Sequence, residues 1–304
     1  MTTSRICAVV LTMGALACSG PVEVVVGEID EPSPSTTLNN PYLNQTLPAT
    51  EAVIFAPGLV SIEGRHEYAM SIHPAGDRLL FTVEAPGKGA SVHGSSIRDG
   101  SWTNPKPVDF TGGAKINEME AFFSPDGKRV FFAPYCKGLD VRIWTAEVTP
   151  DGFQNPQPLG GPVAQDPSFY PVQASDGALY YTNLAKRAVY RATLENGKIT
   201  AAEPAGLERS GHTFPSPDGS FMVLDSASLE SDEQRDIFVS FRTDDGTWGS
   251  PRPLGPAVNT EHSETCPALS PDGKYLFFSR YNEPGGISNI YWVSSEVIKL
   301  VAPV

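Results

Sequence analysis

Ser270-Pro271-Asp272-Gly273-Lys274-Tyr275-Leu276-Phe277-Phe278 joins a turn to an apolar run, and its recurrence along the chain decides the fold. Pro presets the first turn residue, Asp bonds nearby backbone, and Gly accepts a positive φ. Such a turn between two β-rich runs predicts an antiparallel hairpin. The phrase returns as Ser124-Pro125-Asp126-Gly127-Lys128-Arg129-Val130-Phe131-Phe132 and as Ser216-Pro217-Asp218-Gly219-Ser220-Phe221-Met222-Val223. Looser copies read His73-Pro74-Ala75-Gly76-Asp77-Arg78-Leu79-Leu80-Phe81 and Ala174-Ser175-Asp176-Gly177-Ala178-Leu179-Tyr180-Tyr181. The turn glycines at 76, 127, 177, 219 and 273 stand 42 to 54 residues apart. That is the length range of a four-stranded propeller blade.

Two further strands follow each hairpin. The third is apolar and aromatic, as in Arg142-Ile143-Trp144-Thr145-Ala146, Asp236-Ile237-Phe238-Val239-Ser240 and Asn289-Ile290-Tyr291-Trp292-Val293. The fourth opens on an aromatic and carries spaced prolines, as in Trp102-Thr103-Asn104-Pro105-Lys106-Pro107 and Phe153-Gln154-Asn155-Pro156-Gln157-Pro158. Proline cannot donate to a ladder, so such a strand belongs at a sheet edge. The fifth copy lacks a fourth strand, while an orphan run, Val53-Ile54-Phe55-Ala56-Pro57-Gly58-Leu59-Val60, precedes the first. The expected fold is therefore all-β, a five-bladed propeller of four-stranded antiparallel blades over residues 51–304, with the N-terminal strand closing the last blade. A six-bladed ring with one degenerate blade is the alternative.

The Ser-Pro-Asp-Gly-Lys-x-Leu-Phe-Phe phrase resembles the WD-like propeller repeat of the TolB type. The segments Phe55-Ala56-Pro57-Gly58-Leu59-Val60-Ser61 and Ile290-Tyr291-Trp292-Val293-Ser294 are similar to those of exported bacterial proteins made of that repeat alone. The resemblance covers nearly all of 51–304 and implies the fold; propellers host many activities, so it is almost silent on function. TolB-type proteins usually have six blades, so a count of five departs from them.

Outside the repeat, Arg5 and the apolar run Ile6–Ala17 have the layout of a signal peptide over residues 1–17. Ala15-Leu16-Ala17-Cys18 resembles a bacterial lipobox, which implies cleavage before Cys18 and lipidation of that residue. Residues 18–50, rich in Pro, Ser, Thr and Asn, then read as a lipidated flexible tether. The chain is thus expected to be exported and lipid-anchored to the cell envelope, with Ser19 favouring an outer membrane by resemblance to known sorting patterns. Beyond the signal and the lipid site, Cys136 and Cys266 remain, and an exported setting permits but does not require their pairing.

The formal net charge of -13, with no Lys/Arg stripe, excludes nucleic acid as a natural partner. No phosphate loop, dinucleotide fingerprint, Gly-x-Ser-x-Gly elbow or His-Glu-x-x-His occurs, so neither catalytic residues, nor a cofactor, nor a metal site is assigned. Aligning the repeats on their turns stacks the innermost strands into rings around the axis. The outer ring holds Glu67, Glu118, Ser168, Ser210 and Glu264, and the next holds Ala69, Glu120, Tyr170, His212 and Cys266. Below them come Ser71, Phe122, Val172, Phe214 and Ala268. Glu67, Glu118, Glu120, Tyr170, His212 and Glu264 are accordingly the candidate ligand-binding residues of a channel mouth. The carboxylates suit a cation or a basic peptide segment, and equally a structural role at strand ends. The function expected is a monomeric binding scaffold that engages an envelope protein, peptide or glycan and meets the membrane only through its lipid. The alternative is a propeller lyase or hydrolase acting on polysaccharide.

Overall fold

The computed structural model describes residues 40–303, apart from 115–116, 136–140, 196, 208–209, 229–233, 284–286 and the side chains of 282 and 283. The signal peptide, Cys18 and Cys136 lie outside the described residues. The first strand is β1 (Val53–Ile54). The first blade follows as β2 (His66–Ile72), β3 (Arg78–Glu84), β4 (Ala90–Arg98), β5 (Ser101–Trp102) and β6 (Lys106–Val108). The second is β7 (Glu118–Phe123), β8 (Arg129–Pro134), β9 (Trp144–Thr149) and β10 (Gly152–Pro158). The third is β11 (Ser168–Gln173), β12 (Leu179–Asn183), β13 (Ala188–Glu195) and β14 (Lys198–Pro204). The fourth is β15 (Ser210–Pro215), β16 (Phe221–Ala227), β17 (Arg235–Phe241) and β18 (Arg252–Pro253). The fifth comprises β19 (Ser263–Leu269), β20 (Tyr275–Glu283) and β21 (Ile287–Ser294), and a short helix, α1 (Glu296–Lys299), follows it.

These strands form five antiparallel sheets, and the fold is a five-bladed propeller with no sixth blade among the described residues. Prolines shape the outer edges as their chemistry requires. In the first blade the fourth strand is broken into β5 and β6, both paired with β4, with Pro105 in the gap. In the second blade the β10 register slips between Gln154 and Gln157, around Pro156. At the edge of the fifth sheet lies β1, antiparallel to β21 with Val53 opposite Trp292 and Ile54 opposite Tyr291.

The hairpin turns are held as their sequence implies. In the second blade Ser124 Oγ and the Lys128 N–H both donate to Asp126 Oδ1, at 2.7 and 3.0 Å, and the Gly127 N–H donates to the Ser124 carbonyl. Gly127 has φ 70°, and a Cβ there would come within 2.5 Å of the His73 ring of the first blade. Conformation and space together demand glycine at that turn.

Apolar clusters fill the spaces between neighbouring blades, and the one between the fifth and first extends past the repeat. It joins Phe277 and Trp292 to Phe81, Phe55 and Val60, and also to Tyr42 and Leu43. Tyr42 and Leu43, within the span 18–50 that the sequence reading assigns to the tether, thus pack against the blades. Tyr42 is 4% exposed, stacks edge-on against Tyr275 at 5.0 Å and donates its hydroxyl to Asp272 at 3.3 Å. Two large apolar side chains suffice to anchor a stretch whose composition is otherwise that of a linker.

One set of positions ties each blade to the next. The Glu120 N–H of the second blade donates to Thr82 Oγ1 of the first at 2.8 Å. Thr182 of the third donates to the Gly211 carbonyl of the fourth at 2.5 Å. Asp225 of the fourth accepts the Cys266 N–H of the fifth at 2.9 Å, and Ser279 of the fifth donates to the Glu67 carbonyl of the first at 3.0 Å. All four side chains sit at the same place in the second strand of their blades. The second blade has Ala133 there, and its link to the third comes instead from Glu120, whose Oε2 accepts the Tyr170 N–H at 2.9 Å.

Candidate functional site at the channel mouth

The outer ring of carboxylates does not line an open mouth. Glu118 is buried and turns back to the loop before its strand. There it accepts the Phe110 N–H at 2.9 Å, the Thr111 N–H at 3.1 Å and the Thr111 hydroxyl at 2.8 Å. Glu264 accepts the Thr260 hydroxyl at 2.6 Å and the Arg280 guanidinium at 2.8 Å. Glu67 accepts the Ile62 N–H and pairs with Arg65. A buried carboxylate needs such donors, and loop N–H groups supply them. Burial still pushes the Glu118 and Glu264 carboxyls above the ordinary range, against those hydrogen bonds. These three residues are loop anchors. Their carboxylates are thus committed to donors of the adjoining loops and strands.

The next ring does converge. Ala69, Glu120, Tyr170 and Cys266 each occupy a β-bulge with φ between 53 and 55°. Such a left-handed residue re-aims its side chain. In the fourth blade the bulge is shifted: Ser210 pairs with Ser226 and Thr213 with Leu224, so Gly211 and His212 together oppose Asp225. Gly211 permits this approach, since a Cβ there would lie 2.4 Å from Asp225 Oδ1.

The shift delivers the His212 imidazole to a carboxylate on each side. Nδ1 lies 2.5 Å from Asp225 Oδ2 and Nε2 lies 3.8 Å from Glu120 Oε1. Asp225 also receives the Arg235 guanidinium, whose Nε donates at 3.0 Å. Tyr170 closes the group by donating its hydroxyl to the Pro267 carbonyl at 3.0 Å. One network thus links four blades through Glu120, Tyr170, His212 with Asp225, and Cys266.

Asp225 and Arg235 escape the sequence reading because neither lies on an innermost strand. The signal that could have found Asp225 is an aspartate at the position where other repeats carry Thr82, Ala133, Thr182 and Ser279.

The charges in this network are strongly mutual. Burial works against an ionised Asp225, yet the Arg235 and His212 charges outweigh it and hold the carboxyl below its usual range. Burial likewise opposes a charged His212, but Asp225 raises its pKa well above 6.5. Glu120 behaves differently, because burial pushes its carboxyl up to about 7 against the pull of His212 and the Tyr170 N–H. Burial also raises the Cys266 thiol, which is free.

A pH dependence of stability follows. Both Glu120 and His212 bind protons more tightly folded than unfolded, so each stabilises the fold most at low pH. The Glu120 contribution is full below 4.5 and lost as pH rises to about 7, which corresponds to about 3 kcal/mol. The His212 contribution is full below 6.5 and lost only as pH rises through its higher folded value. Urea midpoints measured from pH 5 to 8 are expected to fall more steeply in the wild type than in Glu120→Gln. Parallel profiles would refute the assignment.

Below this ring the axis is filled. The Phe122 ring meets Tyr170 at 4.7 Å and Phe214 at 5.9 Å, with Val172 and Ala268 packed in the same cluster. Above it the His212 side chain keeps 18% exposure. Partly buried Phe169 lies 5.4 Å from the His212 ring, and the Tyr68 hydroxyl meets Met119 Sδ at 3.9 Å. Tyr68, Met119, Phe169 and His212 thus form a partly exposed, largely aromatic mouth above the packed axis. Among the described residues no group of three or more His, Cys, Asp or Glu side chains is placed to hold a metal ion.

No family model matches the chain, and no curated protein matches it. Solved structures share its fold. A protein described as a TolB from Agrobacterium tumefaciens is 19% identical, with a TM-score of 0.52 over 76% of this chain and 78% of that one. An alpha-L-arabinofuranosidase from Podospora anserina is 12% identical, with a TM-score of 0.52 over 82% and 98%. A gluconolactonase from Xanthomonas campestris is 14% identical, with a TM-score of 0.50 over 82% and 87%. At these identities the likeness shows the propeller fold alone.

Proposed function

We propose that the protein is an exported binding scaffold that engages a protein, peptide or envelope glycan through the mouth around His212. The observation that carries this reading is the filled axis. A rigid ring with a largely aromatic, partly charged mouth offers a recognition surface rather than an enclosed reaction chamber. His212 and Phe169 are the contact residues, and Glu120, Asp225 and Tyr170 hold the imidazole in place. In the same reading, β1 closes the ring through its pairing with β21, and Cys18 carries the lipid that anchors the domain to the envelope. Fatty-acid labelling of the wild type but not of Cys18→Ala is the check on the anchor.

A second reading has one observation in its favour. Glu120, with its carboxyl at about 7, stands beside an imidazolium, as a general acid would. A lyase or hydrolase acting on polysaccharide could use that proton. One experiment separates the two: a thermal-shift screen of the purified protein against peptides and envelope glycans, with chromatography of each mixture. Under the scaffold reading a ligand raises the melting temperature, is recovered intact, and loses its effect in Phe169→Ala. Cleaved glycan that disappears with Glu120→Gln would replace it with the enzyme. A screen with no shift in any mixture would reject the mouth as a site.

A further inference from the structure

The gaps between successive hairpin turns, on the face opposite the mouth, are not alike. Between the first and second blades His73 fills the space, with Nε2 3.1 Å from the Gly127 carbonyl. Between the fifth and first, Pro41 of the incoming chain lies directly against Gly76. Between the fourth and fifth the turns touch through Pro217 and Gly273, and beside that contact a cleft of about 540 Å3 stays open. That size falls within the range of small-molecule sites. Phe221 of β16, Tyr275 of β20 and Ile298 of α1 form apolar parts of its wall.

The polar part of the wall narrows the ligand class. Lys274 pairs with Asp272 at 3.1 Å and Lys299 with Glu296 at 2.7 Å, so each ammonium is neutralised by its own neighbour. Asp218 Oδ1 is taken by the Ser216 and Ser220 hydroxyls at 2.6 and 2.7 Å. An anion entering here would meet three carboxylates and no uncommitted cation, which is repulsive. A purely apolar ligand would strip water from the rim ion pairs without replacing it. Aromatic and aliphatic surface beside neutralised, hydroxyl-bearing edges instead matches a ligand with apolar faces and many hydroxyls. We propose that the cleft between the fourth and fifth blades binds a short neutral oligosaccharide. This site is separate from the mouth and does not depend on what the mouth binds.

Isothermal titration of the purified protein with triacetylchitotriose, cellotriose, xylotriose and trigalacturonate tests it. Ser295 lines the cleft and makes no side-chain capping bond at the start of α1, so Ser295→Trp fills the space while leaving the fold's contacts in place. Lys299→Trp fills it from the exposed rim, should the first variant melt early. At least one neutral trisaccharide is expected to bind, with affinity reduced roughly tenfold or more in both variants and unchanged in Phe169→Ala. Absence of heat with every neutral trisaccharide would overturn the proposal. So would tighter binding of trigalacturonate, or affinity that both tryptophan variants leave intact.

Discussion

Asp225→Ala is expected to destabilise the domain by about 3–5 kcal/mol, the range for breaking a buried charge pair from one side. The substitution strands two cations, the Arg235 guanidinium and the His212 imidazolium, and leaves the Cys266 N–H without its acceptor. It also removes the one side chain that ties the fourth blade to the fifth at the common linking position. Asp225→Asn keeps a carbonyl oxygen for the Cys266 N–H but loses the charge, so it should fall between wild type and alanine. Urea unfolding of the three proteins reads the effect directly. Equal midpoints for wild type and Asp225→Ala would mean that the network is ornamental and that packing alone holds the ring.

Removal of residues 1–61 is expected to abolish cooperative folding, the largest effect foreseen here. That segment contributes β1, and with it Tyr42, Leu43, Phe55 and Val60, all buried in the cluster shared by the fifth and first blades. Phe55 alone meets Phe277 at 5.3 Å and Trp292 at 5.2 Å, and Phe55→Ala should cost about 3–5 kcal/mol. Without the segment, the Trp292 face of β21 would be an uncovered apolar sheet edge, prone to association. Circular dichroism melts and size exclusion of the truncated protein provide the check. A single sharp transition at the wild-type temperature would show that five blades close without it.

The repeat was legible because its turn chemistry is local: Pro, Asp and Gly act within four residues, and their spacing reports the blade length. Strand edges were legible for the same reason, since a proline excludes itself from a ladder. The bulges were not. Tyr170 and Glu120 take a positive φ at a bulge where the preceding blade accepts their N–H, and no residue type marks that place. The one-residue shift at Gly211 and His212 is likewise set by Asp225, thirteen residues downstream of His212 and on another strand. For Glu67, Glu118 and Glu264 the register was legible and the direction of the carboxylate was not. An inward position was visible; the loop donors that turn each carboxylate away were not. Glu120 is the reverse case. Its neighbour Ala133 lacks the hydroxyl found in most other blades, and a longer side chain supplies the missing link.

The incoming chain meets the domain at its turns: Pro41 lies against Gly76 and Tyr42 reaches Asp272, while the mouth opens at the other end of the innermost strands. This gives the molecule an up and a down. A lipid on Cys18 would sit 22 residues before Asn40, within a contour of about 75 Å at full extension, and would pull on the turn side only. A proposed lipid attached on that side would leave the mouth on the far side of the ring from its attachment, free to face away from the bilayer. In that orientation anything caught by the mouth would be presented to the aqueous compartment, and the oligosaccharide cleft would look down toward the layer nearest the lipid.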